Sequence, residues 1–211
     1  MEIPFANRQV AARLLVQQLL PLRGQHGVVL AVPRGALPMG AIIAQALGWP
    51  LDVVLTKKLG HPNNPEYAIG AVSEHGYVLS PNVQLPGAYL TRQVAAIQAN
   101  LKARRQAYQG HRPPLLLAGR PVVIVDDGVA TGQTLLATIA LVREQQPARI
   151  IVAVPVSSPE ALRHLQQAAD EVICLLAPPD FRAVGQYYQD FREVTDAEAL
   201  AALHPAQRPA A

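Results

Sequence analysis

Cysteine is almost missing from this chain: its 211 residues include one, Cys174. A single thiol cannot staple the chain to itself, so a disulfide framework is excluded and a reducing cytoplasm is the expected location. Charge is also sparse. Charged residues make up 16% and the net charge is +3, which favours anionic ligands weakly and falls short of a nucleic-acid-binding profile. No apolar run approaches the roughly 20 residues needed to cross a bilayer, so no membrane partner is expected. The start, Met1-Glu-Ile-Pro-Phe5, has neither the basic region nor the apolar core of a signal peptide. Walker A and G-x-G-x-x-G patterns are absent too, which argues against nucleoside triphosphate hydrolysis and a dinucleotide fold.

What is present is apolar: 50% of residues are hydrophobic, enough for a sizeable core. Cys174 lies in the run Glu171-Val-Ile-Cys-Leu-Leu176 and reads as a small buried hydrophobe. Asn7 is placed to cap a helix over residues 8–20, which Pro21 stops. Strands are expected over 27–32, 52–56, 121–125, 149–156 and 171–176, and helices over 37–47, 91–108, 135–144 and 159–168. Strands alternating with helices imply a parallel sheet covered on both faces. Residues 57–86, rich in Pro, Gly and Asn, read as a long flexible loop or hairpin, with short strands near 69–72 and 77–79. A loop that long is usually functional. One domain is expected over residues 1–196, with a C-terminal cap near 177–196 and a frayed, alanine-rich tail over 197–211. The basic run Lys102-Ala-Arg-Arg105, with His111 and Arg112, reads as a solvated helix face.

The densest signal is Val122-Val-Ile-Val-Asp-Asp-Gly-Val-Ala-Thr-Gly-Gln-Thr134. A buried strand ends in two carboxylates, Asp126 and Asp127, and a small-residue turn leads into a helix. Carboxylates are acceptor-only and sugar hydroxyls donate, so the pair suits a diol. Backbone N–H groups of Thr131, Gly132, Gln133 and Thr134 at a helix start suit a phosphate, and Gly132 allows close approach. The plainer alternative is a strand-loop-helix with capping hydroxyls, and a magnesium-binding acidic pair is a rival.

This motif resembles the signature of type I phosphoribosyltransferases, and the order of elements is similar over residues 27–176. The resemblance implies a Rossmann-like parallel sheet with a small hood and a flexible loop. It also implies an enzyme that binds 5-phosphoribosyl-1-pyrophosphate (PRPP) with Mg2+ and transfers the phosphoribosyl group to a small acceptor, commonly as a homodimer. Carried onto this chain, Asp126 and Asp127 hold the ribose hydroxyls, with a weaker role toward the metal. Gly128, Val129, Ala130, Thr131, Gly132, Gln133 and Thr134 form the phosphate loop. Purine-specific members commonly carry an aspartate where this chain has Ala130, so a 6-oxopurine acceptor is less expected.

In the same family, the turn after the first strand holds pyrophosphate. Here that turn is Val32-Pro-Arg-Gly-Ala36; Arg34 offers a planar fork of donors and Gly35 an adaptable backbone. Lys57 and Lys58 are the basic residues expected to neutralise the leaving group, and spacing alone does not choose between them. The segment around them, with His61 and Glu66, looks like a poorly characterised bacterial branch of the family, whose members occur alone or fused to a hydrolase domain. Phe181 and Val184 echo the family's base contacts, though with shifted spacing; the alternative is that Phe181, Tyr187, Tyr188 and Phe191 simply pack the cap. The alternatives are a non-catalytic PRPP sensor, which can lose the pyrophosphate loop, and a hydrolase that splits the donor with water; intact Arg34, Gly35, Lys57 and Lys58 favour the enzyme over the sensor.

Overall fold

The computed structural model describes residues 4–80, 85–110 and 112–204, apart from the side chains of residues 65–68. Helix α1 (Arg8–Leu19) starts where the Asn7 side chain accepts a hydrogen bond from Val10 N–H at 3.0 Å. A short 3-10 turn containing Pro21 follows it. Strand β1 (Val28–Ala31) leads to α2 (Leu37–Leu47), which has Pro38 in its first turn and ends at Gly48, φ +71°. That left-handed conformation suits glycine because it carries no Cβ. Strands β2 (Leu51–Val53), β3 (Thr56–His61), β4 (Asn64–Ser73) and β5 (Tyr77–Leu79) precede the long α3 (Gly87–Gln109). Then come β6 (Pro121–Val125), α4 (Gln133–Arg143), β7 (Arg149–Val156), α5 (Pro159–Ala168), β8 (Glu171–Leu176) and α6 (Asp196–Leu203).

Five strands form one parallel sheet in the order β2-β1-β6-β7-β8. The strands read as continuous apolar runs because both faces are covered. Val29, Ala31, Val123, Val125 and Ile151 join the core cluster that holds α1 and α2 residues. Their alternates Val28, Leu30, Val122, Ile124, Ile150 and Val152 join a second cluster with Leu135, Ile139 and Leu165 of α4 and α5. Each such large side chain stabilises the fold by about 1.5–3 kcal/mol on burial. The chain winds outward from β1 to β2 in one direction and from β6 through β8 in the other. The strand order therefore reverses between β1 and β6. At such a switch point the two following loops diverge and leave a crevice at the carboxyl edge of the sheet.

Much of the expected flexible loop over residues 57–86 is instead an antiparallel sheet, β3-β4-β5, with a register irregularity at Leu59–Gly60. Leu59, Ile69, Ala71 and Val72 are buried there. The short strands expected near 69–72 and 77–79 are present, the first as part of the longer β4 and the second as β5; at Gly70 a Cβ would lie 2.3 Å from the Val78 carbonyl oxygen, so their close pairing requires glycine. Residues 81–84 of that expected loop, and the side chain of Glu66, lie outside the described residues. The strand expected over 52–56 is shorter: β2 ends at Val53 and Thr56 already belongs to β3.

The tail expected to fray from residue 197 forms α6 up to Leu203. Thr195 accepts from the Glu198 N–H at 3.2 Å while Glu198 accepts from the Thr195 N–H at 2.9 Å, and Ala199 and Leu203 are buried. The rest of that tail, 205–211, lies outside the described residues, as does His111.

Arg105, read as solvated, is buried. It donates to Asp52 at 2.7 Å, and Asp52 also accepts from Gln109 at 2.8 Å and from the Val53 and Leu115 N–H groups at 2.7 and 3.2 Å. Glu74, in the β4–β5 turn, lies 3.8 Å from Arg105; burial pushes its carboxyl above the usual range. This network ties α3, β2 and the second sheet together. Cys174 is half-buried, its thiol 3.2 Å from the Leu176 carbonyl, and burial pushes the thiol pKa up. Among the described residues no helix is long and apolar enough to cross a membrane.

Candidate functional site

Both loops at the switch point carry the residues singled out from sequence. After β6, the backbone of Val129 is fixed from both sides: its N–H donates to the Val156 carbonyl and its carbonyl accepts from Ser158 N–H, each at 2.9 Å. The Ser158 hydroxyl donates to the Ala130 carbonyl at 2.7 Å. Buried Val129 and Gly132 anchor the loop, while Ala130, Thr131, Gln133 and Thr134 face outward. Gly132 adopts φ +75° at the start of α4, and no side chain caps that terminus. Uncapped N–H groups and the helix dipole there form a cradle for an anion.

Asp126 and Asp127 follow β6 directly. The Asp126 carboxylate accepts from the Asp127 N–H at 2.9 Å. Burial pushes the Asp126 carboxyl well above the usual carboxylate range, and the neighbouring Asp127 charge adds to this. Asp127 points toward the other loop. A Cβ at Gly35 would sit 2.0 Å from Asp127 Oδ2, so only glycine lets the two loops meet. Gly128 is constrained in the same way: a Cβ there would lie 2.3 Å from Val184 Cγ1. Val184, expected at the acceptor, packs against Gly128 in the loop after β6. Phe181 stacks on Tyr187 with centroids 5.8 Å apart, a cap-packing contact.

Arg34 lies at the edge of the first loop, after a cis peptide from Pro33. Its guanidinium is paired with Glu193 and, at 3.3 Å, with Asp196. Lys57 and Lys58 are exposed on β3, in the second sheet rather than on either switch-point loop, and strand alternation sends them to opposite faces. Thr56, beside them, approaches Thr138 of α4 at 3.4 Å.

Arg8 had no signal in the sequence, and Tyr188 and Phe191, read there as cap-packing aromatics, take part in the site as well. Arg8 of α1 donates from Nε to Asp127 Oδ2 at 2.7 Å and from Nη1 to the Arg192 carbonyl at 2.8 Å. Its guanidinium lies 3.9 Å from the centre of the Phe191 ring. The Tyr188 hydroxyl donates to the Asp127 carbonyl at 2.7 Å, and burial, with the Asp127 charge, pushes that phenol far up. An N-terminal helix and a C-terminal cap thus converge on one loop residue, a long-range meeting that local spacing does not encode.

Among the described residues no cluster of three or more His, Cys, Asp or Glu could hold a metal ion. Two adjacent carboxylates without further ligands fit a magnesium ion that keeps most of its shell as ligand oxygens and water.

The chain matches the family model "Phosphoribosyl transferase domain" over residues 6–192. It is 37% identical over 211 residues to a Mycobacterium tuberculosis protein named "Putative phosphoribosyl transferase", covering 97% of this chain and 47% of that one. The chain thus spans about half the length of the curated relatives it matches. It is also similar to the crystal structure of the protein TT1426 from Thermus thermophilus, with 45% identity and a TM-score of 0.85 over 94% of this chain and 97% of that one.

Proposed function

The chain belongs to the phosphoribosyltransferase family, and from that premise we propose that it binds PRPP with Mg2+ and transfers the phosphoribosyl group to a nitrogenous base or similar small acceptor, releasing pyrophosphate. The observation that carries this reading is the meeting of the two switch-point loops, so close that position 35 has no room for a Cβ. A donor with a diphosphate at one end of its ribose and a phosphate at the other needs two such loops side by side.

In this reading Asp126 and Asp127 accept hydrogen bonds from the ribose hydroxyls. Residues 130–134 take the 5-phosphate at the uncapped start of α4. Arg34, with Lys57 or Lys58, takes the pyrophosphate. Magnesium, held by donor oxygens and water beside Asp126 and Asp127, would neutralise diphosphate charge. The acceptor nitrogen attacks C1 of the ribose, the bond from C1 to the pyrophosphate oxygen breaks, and its electron pair leaves with pyrophosphate. The acceptor's proton passes to water, because Ala130 offers no base. Positioning and charge stabilisation then supply the catalysis. Val184, packed on Gly128, is the residue this reading assigns to the acceptor. A homodimer in the cytoplasm belongs to the same reading, in keeping with the single cysteine and the sparse charge.

The second reading is a PRPP-binding regulator without turnover, against which Arg34, Gly35, Lys57 and Lys58 speak; Ala130 bears on the acceptor, making a 6-oxopurine less expected. Pyrophosphate release from PRPP and Mg2+, measured across purines, pyrimidines and small amines, separates the two. Release that depends on one acceptor is the expected result. Ribose 5-phosphate with no acceptor product would indicate a hydrolase instead, and donor binding without release would favour the regulator.

A further inference from the structure

Asp127 is held in an unusual way for a residue that must meet a ligand. Its Oδ2 is clasped between the Gly35 backbone and Arg8 Nε, at 2.7 Å from the latter. The two side chains are 11% and 16% exposed, so the pair is shielded from water and stronger than a surface pair. Oδ1 has no partner among the described residues. The arrangement spends one carboxylate oxygen on the protein and leaves the other for a donor.

Arg8 is itself fixed on three sides. Nε binds Asp127, Nη1 binds the Arg192 carbonyl, and the planar face lies on Phe191. A guanidinium can do all three at once, whereas an ammonium can hold the charge but neither the fork nor the stack. Phe191 stacks in turn on Tyr188, whose hydroxyl binds the Asp127 carbonyl. Side chain and backbone of Asp127 are therefore set by one continuous cluster. Behind it, α1, α2 and α6 border an open cavity of about 470 Å³, which Arg8 lines on one side while binding Asp127 on the other.

Resting on the donor-site reading above, we propose that Arg8 is a positioning residue: it aims Asp127 Oδ1 at a ribose hydroxyl by clamping Oδ2 against the pyrophosphate loop. Arg8 does not touch the donor; it acts through Asp127.

Donor affinity by calorimetry, donor and acceptor KM, and kcat for wild type, Arg8→Met, Arg8→Lys, Asp127→Asn and the Arg8→Met/Asp127→Asn double variant test this. Arg8→Met should weaken donor binding more than tenfold and raise donor KM while leaving acceptor KM unchanged. Arg8→Lys, which keeps the charge but neither the fork nor the stack, should recover less than half of that loss. On the Asp127→Asn background, Arg8→Met should cost less than a further twofold, because its route is already cut. If Arg8→Met does not fold, Phe191→Leu removes the stack, keeps the ion pair and should raise donor KM severalfold. Wild-type affinity in Arg8→Met, or losses that multiply in the double variant, would overturn the role of Arg8 alone. A wild-type protein that binds no PRPP would overturn the donor site itself.

Discussion

Two carboxylates in this molecule are each paired with an arginine at 2.7 Å, and they have opposite uses. Asp52 is saturated: it accepts from Arg105, Gln109 and two backbone N–H groups. Among the described residues Asp127 accepts one side-chain bond, from Arg8, and its Oδ1 has no partner; a second carboxylate is its chain neighbour. Asp52 joins a strand to a helix and to the turn of the second sheet. Asp127 stands where the strand order reverses, at the mouth of a crevice. Saturation marks a carboxylate that holds the fold, and an oxygen without a partner among the described residues, at the sheet's carboxyl edge, is the one we propose for the ligand.

The sharpest way to break this contrast is to remove each acid and ask what is lost. Asp52→Ala strips buried Arg105 of its 2.7 Å partner and leaves it Glu74 at 3.8 Å, so thermal or denaturant unfolding should show a loss approaching the roughly 3–5 kcal/mol of a broken buried pair. Donor affinity of the remaining folded protein should be unchanged. Reduced affinity at unchanged stability would put Asp52 on the wrong side of the comparison.

Gly35→Ala is the next largest. Its Cβ would meet Asp127 Oδ2 at 2.0 Å, so Asp127 must move. Overpacking of this kind costs about 1–3 kcal/mol, and calorimetry should show donor binding weakened more than tenfold. Unimpaired binding would show that the two loops need not touch.

Arg34 sharpens the contrast from the other loop. Glu193 and Asp196 hold it where a diphosphate would compete. Exposed pairs are worth about 0–1 kcal/mol, so the Glu193→Gln/Asp196→Asn variant should bind pyrophosphate or PRPP about two- to fivefold more tightly. Weaker binding would mean that the pairs hold Arg34 in its working position.

The smallest effect concerns α6 alone. Arg192 and the Thr195 cap lower the Glu198 carboxyl from the usual 4.5 to about 2. A lowered folded pKa gives stability that is present above 4.5 and lost as pH falls toward 2. The difference in melting temperature between wild type and Glu198→Gln should therefore be constant above pH 4.5 and shrink below it. A constant difference down to pH 2 would remove Glu198 from the cap.

The sequence made the central sheet legible because β6, β7 and β8 are unbroken apolar runs, and it made the switch-point loops legible because Asp126-Asp127 and Pro33-Arg34-Gly35 interrupt such runs abruptly. In the second sheet the strands near 69–72 and 77–79 were legible from their β-branched and apolar residues, whereas β3 and the start of β4 escaped because the exposed Lys57-Lys58 pair and the Gly, Pro and Asn residues after it have loop-like composition. The α6 helix was legible in principle from Thr195-Asp-Ala-Glu198, a capping box, but its alanines resembled a frayed tail. Arg8 carried no signal, and the partners of Tyr188 and Arg105, read as a cap-packing ring and a solvated charge, were not legible. Each acts through a partner more than 50 residues away, and no local period encodes that distance.

The most direct test of the account is a calorimetric titration of PRPP and Mg2+ into wild type and Asp127→Asn, with the melting temperature of each recorded beside it. The account predicts saturable binding to wild type and affinity at least tenfold lower in the variant, about 1.4 kcal/mol, with a melting temperature within about 4 °C. Equal affinities would contradict it, and would mean that the open oxygen of Asp127 is not where the donor's ribose binds.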